Sequence, residues 1–169
     1  MEIRCPRCGR DFVRRVQQKG LAEIVAGAAC LYPFMCQLCA HRFRAFHRGG
    51  RHTGQSVDQR RYERLSVNFP VTFLMDAGQG NGTTLDISME GCAFKSGTPP
   101  PAGTILAILL QAPSLERPLA VEAAVVRSVR SMYIGAEFLR LRPEEQYRLT
   151  QFTAGMLTDR RIKNDAASQ

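Results

Sequence analysis

Residues 67–73, VNFPVTF, alternate without a break: Val67, Phe69, Val71 and Phe73 fall on one side, Asn68, Pro70 and Thr72 on the other. Period two over such a run marks a strand with one face in a core and one in water. Pro70 offers no N–H to a ladder, so it predicts an edge or a bulge at this point. Turn residues, DAGQGNG at 76–82, then lead into GTTLDIS at 82–88. That pattern predicts a second strand folded back on the first.

The same grammar repeats downstream. GCAFKSG (91–97) reads as a third strand and TPPPAG closes it, while TILAILLQ (104–111) is a fourth. RPLAVEAAVVRSVR (117–130) and MYIGAEFLRL (132–141) supply a fifth and a sixth. Six strands with no helical pattern between them favour a small antiparallel barrel or sandwich. The segment from Pro143 to Arg161 differs: proline at a first helical position, Glu144 and Glu145 in the first turn, Arg160 and Arg161 at the end. Charges so placed complement a helix dipole, and Leu149, Phe152 and Met156 share one face. A helix packed on the barrel is expected, with residues 161–169 as a disordered tail.

Upstream of residue 59 the chemistry changes. Residues 1–61 hold twelve Lys/Arg against four Asp/Glu, whereas residues 62–169 hold eleven of each. The formal charge of +8 therefore sits on the N-terminal third. A surface of that kind attracts polyanions, whether nucleic acid, an acidic protein or anionic lipid. Residues 47–58, HRGGRHTGQSVD, lack apolar periodicity and read as a flexible linker. The expected organisation is thus a module over 1–46, the linker, and a domain over 59–160.

Four of the six cysteines stand as CPRC (Cys5, Cys8) and CQLC (Cys36, Cys39), with 27 residues between the pairs. A CxxC turn lets two thiolates reach one ion, and a second completes a tetrahedral four-sulfur shell. The pairs look like the knuckles of a zinc ribbon, with Phe12, Phe34 and Phe43 as its few apolar contacts. Four protein ligands leave the metal no open position, so the zinc is expected to be structural. Cys30 and Cys92 read as small buried hydrophobes. His41, His47 and His52 read as surface residues. LAEIVAGAACLYPFM (21–35) is longer than a ribbon needs and predicts a helical insertion that packs on the ribbon or on a partner. It is too short to cross a membrane, and Met1–Arg10 lacks the features of a secretory signal. A cytoplasmic protein without a transmembrane segment is the expectation.

Two short motifs remain. Arg60, Arg61 and Arg64 crowd the approach to the first strand, and Asp86-Ile87-Ser88-Met89-Glu90-Gly91 bridges strands two and three. Alone, the second is turn chemistry: Asp and Ser bond nearby backbone, and Gly permits unusual torsions. Together, RxxxR followed by DxSxxG on a six-stranded barrel with a C-terminal helix resembles the PilZ domain. The resemblance spans about residues 59–155 and includes the GAEF run at Gly135–Phe138.

PilZ domains are bacterial receptors for cyclic di-GMP, so the resemblance implies a mainly β, six-stranded antiparallel PilZ-type barrel that binds this dinucleotide. Guanine presents O6 and N7 as an acceptor pair that an arginine fork grips, and guanidinium planes stack on bases and neutralise phosphate. By resemblance Arg60 and Arg64 form a mobile arm that closes over the ligand, with Arg61 assisting. Asp86 and Ser88 contact a guanine edge or orient an arginine, and Gly91 allows close backbone approach. The reading is a non-enzymatic receptor in which ligand binding orders the arm and restricts the zinc ribbon, which meets a protein partner. The alternative is a zinc-ribbon regulator that binds nucleic acid or protein, with a barrel that binds no dinucleotide. No nucleophile–base constellation suggests an enzyme.

Overall fold

A computed structural model of the chain describes residues 3–18, 20–47 and 62–167. It divides into two compact units, Met1–Glu63 and Arg64–Gln169. The expected linker and the arginines Arg60 and Arg61 lie outside the described residues, apart from His47.

In the first unit, β1 (Val13–Arg15), β2 (Leu31–Cys36) and β3 (Arg42–Phe46) form an antiparallel sheet with β2 in the middle. The helix α1 (Leu21–Ala28) is inserted between β1 and β2. Its polarity is inverted: Leu21, Ile24 and Val25 are exposed, while Glu23 is buried. Glu23 is held there by Arg42 at 2.7 Å and Arg44 at 3.7 Å, so an ion pair rather than apolar burial seats this helix. A small apolar group of Phe12, Phe34, Met35 and Leu38 is buried.

The second unit is a closed barrel. Its strands are β4 (Leu65–Met75), β5 (Gly78–Ser88), β6 (Gly91–Lys95), β7 (Ile105–Leu110), β8 (Leu119–Arg130) and β9 (Tyr133–Arg140). They run in the order β4-β5-β6-β9-β8-β7, every pair antiparallel, and β7 returns to β4. The alternation in β4 does what its sequence predicts: Phe69, Val71 and Phe73 are buried, and Asn68 and Pro70 face out. Closure leaves no free edge for Pro70. It lies next to the bulge between Ser66 and Phe69, one residue before the β7 pairing begins at Val71. The missing N–H therefore costs no ladder bond to β7, and the Pro70 carbonyl still accepts from the Gln111 N–H at 3.0 Å.

Phe73 and Phe94 meet inside the barrel with centroids 5.3 Å apart, among Ile87, Leu106, Ile108, Val121, Val126 and Ile134. Two glycines make room for backbone. A Cβ on Gly82 would strike the Lys95 carbonyl oxygen, and one on Gly91 would strike that of Ala136.

The helix α2 (Pro143–Ala167) packs against β8 and β4, with Phe152 edge-on to Phe69 at 6.1 Å. Its buried stripe is Glu145, Leu149, Thr153 and Leu157, a four-residue repeat displaced from the expected face, on which Phe152 and Met156 are half-buried. The helix continues to Ala167 where a disordered tail was expected from residue 161. No glycine or proline interrupts residues 159–167, so propagation meets no breaker. Among the described residues, no helix is long and apolar enough to cross a membrane.

Candidate functional site

The antiparallel pairing of β4 with β5 decides which residues meet. Leu65 sits opposite Ile87 and Ser66 opposite Asp86, so the start of β4 lies beside the end of β5. Arg64, the residue before β4, is thereby brought to the DISMEG corner from more than twenty positions away. Its guanidinium donates to Asp86 Oδ1 at 3.2 Å. Both side chains remain in part open to solvent, 44% and 26% exposed, so the pair is accessible to a ligand. Each group could exchange its partner for a ligand atom without first being unburied.

Ser88 is differently engaged. It is buried, its hydroxyl donates to the Gly91 carbonyl at 3.3 Å, and its oxygen accepts from the Glu90 N–H at 3.4 Å. The hydroxyl shapes the β5–β6 corner, and the Glu90 carbonyl is bonded in turn by the Phe138 N–H at 2.8 Å. Gly91 faces β9: its close approach is to the Ala136 carbonyl of the neighbouring strand. Of the predicted binding residues, the structure brings together Arg64, Asp86, Ser88 and Gly91. Beneath them lies Cys92, whose thiol is pushed up to about 12, first by burial and then by the charge of Asp86. It is an inert thiol in the wall, as its reading as a small hydrophobe predicts.

The second cluster is Cys5, Cys8, Cys36 and Cys39, whose sulfurs all lie within 4.8 Å of one another. Cys5–Cys39 and Cys8–Cys36 are each 3.6 Å apart. A tetrahedron with metal–sulfur bonds of about 2.3 Å has edges of about 3.8 Å, so the arrangement fits one ion with four thiolates. The Leu38 N–H points at Cys36 Sγ at 3.5 Å. Gly9, at φ +71°, closes the first knuckle, its N–H bonded to the Cys5 carbonyl at 2.9 Å. Burial pushes Cys36 up to about 12 and raises Cys39 as well. Burial also raises Cys5, but N–H bonds from Cys8 and Arg7 outweigh it and lower the thiol. Four thiolates at this spacing require a cation to offset their repulsion. The cluster is consistent with a zinc-ribbon-like module.

A residue that sequence reasoning passed over sits inside the second knuckle. Gln37 is 4% exposed, its backbone N–H donates to the Phe12 carbonyl at 2.8 Å, and its Oε1 accepts from the Glu63 N–H at 2.6 Å. The available signal was an uncharged amide between the two cysteines of the second CxxC pair.

The N-terminal arginines are less free than their number suggests. Arg42 and Arg44 face Glu23, and Arg15 lies over the Tyr32 ring at 3.6 Å.

The PilZ domain matches residues 58–155. No curated protein sequence matches the chain at a significant level. Among solved structures, the chain is similar to YcgR from Escherichia coli in complex with c-di-GMP. There the identity is 15%, with 92% of this chain and 77% of that one covered at a TM-score of 0.56. The PilZ domain with c-di-GMP of the same protein gives 17% identity, 63% and 98% coverage and a TM-score of 0.52. The inhibitor of motility MotI/DgrA from Bacillus subtilis gives 17%, 78% and 69%, and 0.54. Identities this low speak for the fold. The match over residues 58–155 covers more than half of the sequence, including both the RxxxR and DxSxxG motifs, and the chain belongs to the PilZ domain family.

Proposed function

We propose that this protein is a non-enzymatic receptor for cyclic di-GMP, bound at the corner where Arg64 meets Asp86. The observation that carries the reading is the Arg64–Asp86 pair, formed where the start of β4 lies beside the end of β5 and still accessible. Two of the similar structures are described as binding c-di-GMP. Arg64 would turn from Asp86 to the O6/N7 edge or a phosphate of the ligand, joined by Arg60 and assisted by Arg61. The freed Asp86 carboxylate is suited to the N–H donors of guanine's other edge. Ser88 would act by holding the corner in shape, and Gly91 by letting the strands close.

In this reading residues 59–160 are the binding domain, residues 1–46 carry a structural zinc on Cys5, Cys8, Cys36 and Cys39, and 47–58 connect them. The arm adjoins the connection, so ordering it on the ligand would restrict the ribbon and change its meeting with a protein partner in the cytoplasm. The internal engagement of Arg15, Arg42 and Arg44 weighs against the nucleic-acid alternative.

Calorimetric titration of cyclic di-GMP into the zinc-loaded chain tests this, with cyclic di-AMP as control. Selective binding is expected. Arg64→Ala should weaken it at least about thirty-fold, the effect of losing a central anchoring arginine. Absence of heat and of competition at high ligand concentration would defeat the receptor reading.

A further inference from the structure

Glutamine side chains mostly face water. Gln37 does not. It is 4% exposed, between Cys36 and Cys39, and its amide is satisfied internally. Nε2 reaches the Met35 carbonyl at 3.5 Å, and Oε1 accepts the Glu63 N–H at 2.6 Å. Glu63 is the last residue of the N-terminal unit, and the residue after it is Arg64. The clasp therefore lies wholly within the metal-bearing unit, yet it grips the chain one peptide link before the arginine paired with Asp86.

We infer that Gln37 is a positioning residue through which the four-cysteine site controls how freely the arginine segment moves. The inference rests on the receptor reading above. With the knuckle fixed by its ion, the Gln37 backbone is set by the two flanking thiolates and by the Phe12 carbonyl. Its side chain then holds the Glu63 peptide plane. Consecutive Cα atoms are about 3.8 Å apart, so Arg64 starts from an anchored point. Anchoring before binding removes conformations that the ligand would otherwise have to remove, which tightens binding without any new contact to it. When the ion leaves, the knuckle loses its geometry, the acceptor withdraws and the segment is released. Metal occupancy thereby sets dinucleotide affinity. The size follows from one hydrogen bond: roughly a two- to ten-fold change.

The test uses the full chain loaded with zinc, alongside Gln37→Ala and Gln37→Glu. The second variant keeps an oxygen acceptor. Cobalt substitution and its thiolate charge-transfer bands establish that each variant retains the metal site. Two quantities are measured: hydrogen exchange at the Glu63 amide by NMR, and the dissociation constant for cyclic di-GMP. Gln37→Ala should speed exchange at Glu63 and weaken binding two- to ten-fold, Gln37→Glu should restore both, and chelation should reproduce the Gln37→Ala effect in the unmodified chain. A Glu63 amide indifferent to Gln37→Ala and to chelation, in a protein that binds dinucleotide, overturns this inference alone. So does an amide that is released while affinity stays the same or improves. If the unmodified chain binds no dinucleotide, the receptor reading fails and the positioning role falls with it.

Discussion

Gly91 shows how a motif residue can serve the fold before it serves a ligand. Its absent Cβ is where the Ala136 carbonyl oxygen lies, and the β6–β9 pairing depends on that approach. Gly91→Ala should destabilise the barrel by about 1–3 kcal/mol in urea unfolding, the range for overpacking a close-packed site. Gly97→Ala should be nearly neutral, since nothing lies within 4 Å of the added methyl. Glu145 is a second such residue, and the sequence gives no hint of it beyond a helix first turn. It is buried, accepting from Arg117 at 2.5 Å, from Arg148 at 2.8 Å and from the Ala120 N–H at 3.1 Å. Burial raises its pKa, but these donors outweigh burial and hold the carboxyl below its ordinary value. A depressed carboxylate contributes stability above its unfolded pKa, about 4.3, and loses it as pH falls through the folded value. Glu145→Gln should therefore cost about 2 kcal/mol at pH 7, and the gap between variant and parent should narrow below about pH 4. Equal gaps at pH 7 and pH 3 would contradict this account. The types of the candidate site residues were readable because clustered arginines and paired CxxC cysteines stand out in a sequence. Glu145 and Gln37 were not, because their importance comes from partners distant in sequence.

At the scale of elements, alternation located the first barrel strand, and turn residues between short apolar runs located the other five. The helices were harder. α1 carries leucine, isoleucine and valine that propensity would turn inward, yet the structure buries Glu23 against Arg42. An ion pair formed across the unit leaves no periodic trace. α2 shows the same limit, because its buried stripe of Glu145, Leu149, Thr153 and Leu157 includes two polar members. That stripe also fixes where the helix matters. Leu149 is fully buried, and Leu149→Ala should destabilise the protein by about 2–5 kcal/mol. Residues 158–164 are exposed, and surface pairs there contribute about 0–1 kcal/mol each. A chain ending at Thr158 should thus keep most of its unfolding free energy. Loss of cooperative unfolding on that truncation would mean the distal helix is a structural element of the barrel.

On the scale of the whole molecule, the two units hold together for different physical reasons. The barrel buries a continuous aromatic and aliphatic core and closes its last strand onto its first, a non-local order that no local pattern announces. Among the described residues, the N-terminal unit has three short strands and a handful of buried apolar residues, too few to offset the conformational entropy of ordering it. An ion held by Cys5, Cys8, Cys36 and Cys39 would supply the missing stability. Burial raises the Cys36 and Cys39 thiols, and a cysteine must give up its proton to bind a metal. Metal uptake should therefore release protons, and metal affinity should fall as pH falls. Chelation at pH 7 should collapse the NMR signals of residues 3–47 to unfolded positions while those of the barrel core stay dispersed. Heating the loaded chain should then give two transitions, only the first of which moves with free zinc concentration. A single transition that shifts as a whole with zinc would mean instead that the ion stabilises both units as one cooperative body.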